Sequence, residues 1–228
     1  MFSPNYQVKK TARSKKQILI VDDHPMMREG LAQLVEHEPD LTSLGQADNA
    51  AQALAALSRQ LPDLVLLDIS LPDRNGLEVI KDLQTLYPTL PVLVVSMHDE
   101  SLYAERVLRA GGRGYIMKQE GGKKLMQAIR QVLAGQIYVS EKMSSKILEL
   151  FSGRREAAAH SPVEHLSDRE FEVFQLIGQG QGTRQIAEHL RLSVKTVEVH
   201  RANIKKKLEL KTGAEVVRFA IRWAEGQR

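Results

Sequence analysis

The sequence predicts two domains of different class. The first is an α/β domain on a five-stranded, parallel, doubly wound sheet of flavodoxin-like order 2-1-3-4-5. The second is an all-α domain of four helices. Three observations predict this. The 228 residues are too many for one small module and suit two compact ones. Short apolar runs alternate with helix-period segments as far as residue 138. From Leu166 onward only the helical period remains.

The strand candidates are Ile18–Val21, a weak run near Leu41–Gln46, Leu64–Leu67, Val92–Val95 and Tyr115–Met117. Between them lie helix candidates at Pro25–His37, Asn49–Ser58, Gly76–Leu86, Ser101–Ala110 and Lys123–Ala134. Alternating strands and helices give a parallel sheet covered on both faces, joined by right-handed crossovers. Residues 139–164 read as a linker, with one amphipathic helix in VSEKMSSKILELF and a small, charged stretch after it. In the last domain, Ser167 with Glu170 and Thr212 with Glu215 read as capping boxes, and Thr183 and Ser193 as N-caps. The expected organisation is a basic extension over 1–16, domains over 17–138 and 165–228, and the linker between them.

Composition narrows the function classes. At 43% hydrophobic and 26% charged residues this is an ordinary soluble balance. The absence of Cys excludes disulfides, thiolate zinc sites and thiol catalysis. The longest runs of Val, Ile and Leu are four residues, against the ~20 apolar residues that a membrane helix needs. The basic N-terminus is followed by no long apolar segment, so it does not read as a secretory signal. The expected location is cytoplasmic. Charge is divided: residues 1–16 carry five Lys or Arg and no acid, 17–159 net −4, and 160–228 net +3. The extension reads more readily as a solubilising tail than as a DNA-contacting arm.

In a sheet of this order, ligands gather at the carboxyl ends of the strands, between strands 1 and 3. Strand 1 runs into Asp22 and Asp23, strand 3 into Asp68, strand 4 ends at Ser96, and Lys118 follows strand 5. Three converging carboxylates call for a cation, and oxygen ligands suit Mg²⁺. A carboxylate beside a divalent ion and a lysine is equipped to take up a phosphoryl group. Singly, each residue has an ordinary reading: Asp23 or His24 caps the helix opening at Pro25, Asp68 is a loop acid, Ser96 a turn residue, Lys118 a surface charge. Their joint placement at four strand ends favours a site.

The segments ILIVDDHPMMREGL, PDLVLLDISLPDRNGLEVI, PVLVVSMHDE and GGRGYIMKQE occur in order and at the right spacing to resemble a two-component response regulator of the NarL/FixJ type. The resemblance implies that Asp68 accepts phosphate from a histidine kinase. It implies that Asp23, Asp68 and the carbonyl of Ser70 ligate Mg²⁺, with Asp22 acting through water. Lys118 would pair with the phosphoryl group. Ser96 and Tyr115 would form a switch pair, the hydroxyl moving to the phosphate and the ring turning inward. Ser in place of the more usual Thr implies looser coupling. The helices at 100–135 would supply a dimer or interdomain surface.

In the last domain, a short turn between Leu190 and Leu192 joins two helices, the second capped by Ser193 and basic, which describes a helix-turn-helix. Val194, Val197, Ile204 and Leu208 would face inward, and His200 reads as a satisfied, partly buried histidine. LSDREFEVFQLIGQG, TRQIAEHL and SVKTVEVHRANIKKKLEL are similar to the DNA-binding domain of the same family, also called LuxR-type. By that resemblance Lys195, Glu198, Val199 and Ala202 would face base edges, and Thr196, Arg201, Lys205 and Lys206 phosphates. Apolar residues of the last helix would pair two such domains on inverted half-sites about 10 base pairs apart. Gln185, Glu198 and Ala202 depart from relatives that carry charged or basic residues there, so the operator sequence does not transfer.

Two other classes fit less well. A phosphatase with an aspartyl nucleophile needs a second acid two residues on, where Ser70 stands. A dinucleotide- or flavin-binding regulator needs a glycine-rich first loop, where DDHPMM is acidic. The expectation is thus a phosphorylation-dependent DNA-binding regulator, not an enzyme, with Mg²⁺ as cofactor, a histidine kinase, double-stranded DNA and a second copy of itself as partners, and no membrane.

Overall fold

The computed structural model describes residues 15–151 and 162–226. The extension up to residue 14 and the stretch 152–161 of the expected linker lie outside the described residues.

A five-stranded parallel sheet runs β2-β1-β3-β4-β5, from β1 (Lys16–Val21), β2 (Leu41–Ala47), β3 (Leu64–Leu67), β4 (Val92–Ser96) and β5 (Gly114–Met117). Between the strands lie α1 (Pro25–Glu36), α2 (Ala50–Leu57), α3 (Gly76–Leu86) and α4 (Glu100–Arg109), and α5 (Gly121–Leu133) follows β5. The alternation of β1 explains the two-sided burial. Ile18 and Ile20 join the core under α1 and α5, while Leu19 and Val21 join the core under α2, α3 and α4. β2 reads weakly in sequence because its register shifts opposite Ile18 and Leu19, leaving Leu44 without a partner and breaking its pattern there.

The chain closes the β5 edge with Tyr138, whose backbone bonds Arg113 and Tyr115 across the strand. α6 (Glu141–Phe151) then packs along α4. A 3-10 turn at Pro162–His165 leads into α7 (Asp168–Gly178), α8 (Thr183–His189), α9 (Val194–Lys207) and α10 (Gly213–Glu225). The core under α3 and α4 runs on into this helical domain through Tyr103, Phe171 and Phe174.

The caps depart from expectation in two places. The box at Ser167 and Glu170 forms in full. At α8 the cap is Gly182, whose amide bonds Gln185 Oε1 at 2.8 Å, and Thr183 is the first helical residue. At α10 Thr212 accepts from the Glu215 amide, but the Glu215 carboxylate takes the amide of Lys211 instead of Thr212. Each exchange satisfies one of the free amides at a helix start.

Gly76 opens α3 directly behind Asp68. A Cβ there would lie 2.6 Å from the Asp68 carbonyl and 2.7 Å from Ile69 Cα. Both are backbone atoms, so no rotamer change relieves the clash. Gly76→Ala should destabilise the protein by about 1–3 kcal/mol, the usual range for overpacking, read as a lower urea midpoint at unchanged slope.

Candidate functional site

Because β1 and β3 are neighbours, the residues that follow them meet. Asp22 and Asp68 are both buried, and the Asp68 amide donates to the Val21 carbonyl at 2.8 Å. Lys118, just past β5, reaches between them. Its Nζ is 2.7 Å from Asp22 Oδ2 and 2.8 Å from Asp68 Oδ2. Burial works against the ammonium charge, but the two carboxylates outweigh it and raise the Lys118 pKa. Asp23 is half-buried on the rim, with His24 Nδ1 2.8 Å from its Oδ1. One atom each from Asp22, Asp23, His24 and Asp68 can be chosen so that all lie within 4.8 Å of one another.

The loops are held firmly. Asp22 Oδ1 accepts from the His24 amide, and its carbonyl from Arg28, so His24 precedes α1 without capping it by side chain, and neither does Asp23. Asp73 accepts from the amides of Ala50 and Ala51 at 3.0 Å, tying the loop after β3 to the start of α2. Asn75 caps α3 through the Leu77 amide.

The buried oxygen Asp68 Oδ1 has no hydrogen-bond partner among the described residues. The cluster offers three carboxylates and the His24 imidazole, with Asp68 Oδ1 open as a further ligand atom, and could hold a metal ion. Its carboxylates are the oxygen ligands that suit a divalent ion of the Mg²⁺ kind.

Ser70 is exposed, two residues beyond Asp68, and its hydroxyl faces His98 Nε2 at 2.9 Å. Ser96 is fully buried and accepts from the His98 amide at 3.4 Å. Tyr115 is also fully buried, its hydroxyl donating to the His98 carbonyl at 2.8 Å, and burial pushes its phenol up. The ring expected to turn inward on modification therefore already lies inside.

His98 and Asp73 are absent from the residues singled out by sequence, and His24 reads there only as a possible cap of the first helix. The signal for His98 stood in the MHDE segment, immediately after strand 4. What gives it weight is the helical domain, which sequence could not place. There Tyr103 of α4 donates to Gln175 Oε1 of α7 at 2.6 Å. Arg106 sits over the Phe171 ring at 4.1 Å and donates to the carbonyls of Val163 and Leu166. Lys81 and Arg106 share Asp168. Burial raises the Glu172 pKa, opposed by Arg169 at 2.7 Å.

In α9 the turn before the helix holds Arg191 in the left-handed region, φ 51°. Val197, Ile204 and Leu208 are buried as expected. Val194 is not; in the first turn of the helix, it is 41% exposed. Lys195, Glu198, Val199, Ala202 and Lys206 lie on the open face, while Thr196, Arg201 and Lys205 are half-buried along its edges. Lys207 turns back to Glu170 at 2.6 Å. α10 packs on α7 through Phe219 and Trp223, leaving Val217 and Ile221 half-buried.

His200 is half-buried as expected but unsatisfied: its Nδ1 is buried with no hydrogen-bond partner among the described residues. Burial lowers its pKa.

Residues 18–130 match the response regulator receiver domain, and residues 164–220 the bacterial regulatory proteins of the luxR family. The oxygen regulatory protein NreC of Staphylococcus carnosus is 33% identical over 210 residues, 90% of this chain and 97% of that one. A LuxR-family response regulator from Aurantimonas sp. SI85-9A1 matches 61% of this chain and 99% of its own at 32% identity, TM-score 0.57. RcsB of Salmonella enterica serovar Typhimurium, bound to promoter rprA with the phosphomimetic BeF3⁻, covers 91% of this chain and 98% of its own at 22% identity, TM-score 0.60, a likeness of fold. Among the described residues, no helix is long and apolar enough to cross a membrane.

A His with a lowered folded pKa binds its proton more weakly than in the unfolded chain. The unfolded state takes up more protons as pH falls through about 6.5, so stability drops there. The wild type should therefore lose more stability between pH 7.5 and 5.5 than His200→Phe, measured as the shift in urea midpoint. An equal loss in both would remove His200 from the acid response.

Proposed function

The chain belongs to the response regulators that join a receiver domain to a LuxR-family DNA-binding domain, and from that membership we propose that it is a cytoplasmic transcriptional regulator switched by phosphorylation of Asp68. The observation that carries this is the buried Asp68 carboxylate, with Oδ2 held by Lys118 and Oδ1 left without a partner.

The donor is a phosphohistidine on a partner kinase. Asp68 Oδ1 attacks phosphorus in line, the P–N bond to the donor imidazole breaks, and the imidazole departs. Lys118, held beside Asp68, stabilises charge on the phosphoryl oxygens. Asp22, Asp23 and Asp68, with the Ser70 carbonyl, are the residues that would hold Mg²⁺, and the ion would supply further neutralisation of the phosphoryl group when bound. The aspartyl phosphate adds about two negative charges at a site already acidic. The Ser96 hydroxyl then turns to it and leaves the His98 amide. Self-catalysed uptake and loss of the phosphoryl group are the only chemistry assigned to the receiver.

α9 is the recognition helix. Lys195, Glu198, Val199 and Ala202 face base edges; Thr196, Arg201, Lys205 and Lys206 take phosphates. All four base-facing residues are exposed in the single chain. That favours control by withheld pairing over control by covering the helix. Two copies pair through what remains open on α10 and read inverted half-sites about 10 base pairs apart.

Acetyl phosphate should label the wild type with one phosphate per chain, by intact mass, and Asp68→Asn with none; an Asn variant that still takes up one phosphate overturns the assignment. Lys206→Ala should weaken DNA binding on every sequence and flatten the slope of log affinity against log salt by about one unit. An unchanged slope removes Lys206 from the phosphate contacts.

A further inference from the structure

One side chain stands in both the acceptor site and the contact between domains. His98 Nε2 faces Ser70 Oγ at 2.9 Å, and its backbone holds Ser96 through the amide and Tyr115 through the carbonyl. Its ring stacks on Tyr103 at 4.7 Å between centroids. Tyr103 is fully buried, bonds Gln175 of α7 and meets Phe171 edge-on at 5.5 Å. Phe171 is covered by Arg106 and in turn meets Trp223 of α10 at 5.7 Å. Aromatic contacts thus run from the acceptor loop to the last helix, and His98 is their first member.

We propose that His98 is the positioning residue that couples Asp68 to the docking of the DNA-binding domain, by holding Ser70 with its ring nitrogen and Tyr103 with its ring face. The inference rests on Asp68 being the acceptor. His98 touches no reacting atom. While α7 grips Tyr103, the stack fixes the His98 ring, and the ring fixes Ser70. When Ser96 turns to the phosphoryl group, the His98 amide loses its acceptor and the residue can move. Tyr103 then loses its stacking partner, and the seat of Phe171 and Gln175 loosens. Such coupling is reciprocal in equilibrium terms: whatever favours the phosphorylated form weakens docking by the same factor, and undocking favours that form.

The full-length chain tests this with beryllofluoride and Mg²⁺ as the probe, its affinity read by calorimetry. Trp223 is the only tryptophan, so its emission reports the seat of α7. Arg106→Ala removes the clamp at a distance from Asp68. It should tighten beryllofluoride binding by a factor within about 5–150, the usual span of such coupling, and shift Trp223 emission toward that of the beryllofluoride-bound wild type. In the His98→Ala background the same change should alter affinity by less than about two-fold, below that range. Trp223 should then no longer answer beryllofluoride that is bound. His98→Phe keeps a ring against Tyr103 but loses the nitrogen facing Ser70; it should behave as His98→Ala. An equal gain from Arg106→Ala in both backgrounds overturns the proposal, as does full coupling in His98→Phe, which would show packing alone at work. If the wild type binds no beryllofluoride and Asp68 takes no phosphate, the acceptor assignment itself fails. If the probe binds while Trp223 and the Arg106 variant stay silent, only the coupling through His98 fails.

Discussion

Two buried carboxylates and one buried ammonium set the terms for the sheet domain. Asp22 and Asp68 stand at the ends of adjacent strands with Lys118 between their Oδ2 atoms. The order β2-β1-β3-β4-β5 is what makes them neighbours. Breaking such a buried pair leaves an uncompensated charge, which typically costs about 3–5 kcal/mol. The loops that carry it are accordingly pinned, by Arg28 on the Asp22 carbonyl and by Asp73 on the first amides of α2. Against that background Asp68 Oδ1 is buried and, among the described residues, has no hydrogen-bond partner. A buried acceptor left open beside a lysine and two further carboxylates is what an incoming group would satisfy.

The same end of the sheet carries the second domain. α4 presents Tyr103 and Arg106 one turn apart, and α7 accepts both, one through Gln175 and the ring of Phe171, the other through that ring's face and two carbonyls of the preceding turn. The burial of these groups is asymmetric in its consequences. The open face of α9 stays exposed, while α7, which supports α10, is held by the receiver. The clamp therefore bears on the helix through which two copies would meet more directly than on the face that would meet base edges.

What the sequence made legible was whatever depends on local pattern and on strand order. Alternating apolar runs located the strands, and the acids at their ends located the site, because parallel connections leave few topologies. The losses have physical causes. β2 was faint because a bulge at Leu44, between Ser43 and Gly45, breaks its alternation. Val194 was placed inward by its spacing from Val197, yet in the first turn of α9 it is left exposed. Thr183 was the better capping residue by type, but the Gln185 side chain satisfies Gly182 and starts the helix one residue earlier. Tyr103 and Arg106 carried no local signal at all, and His98 only its place just after strand 4. Their roles follow from packing between two domains, which no window of sequence contains.

The buried position of Tyr115 changes what that ring can report. Read from sequence, it was the part of the switch that moves inward on modification. Here it is fully buried while α7 is still docked, held by a hydrogen bond to the His98 carbonyl. Moving a phenol between two sites requires different partners in the two states. Its partner is the backbone of the residue whose amide faces Ser96 and whose ring touches both Ser70 and Tyr103. The ring's burial is thus already accounted for with α7 docked. Under the coupling proposed above, the backbone of residue 98 is what would differ on modification, its amide losing Ser96 when that hydroxyl turns to the phosphoryl group.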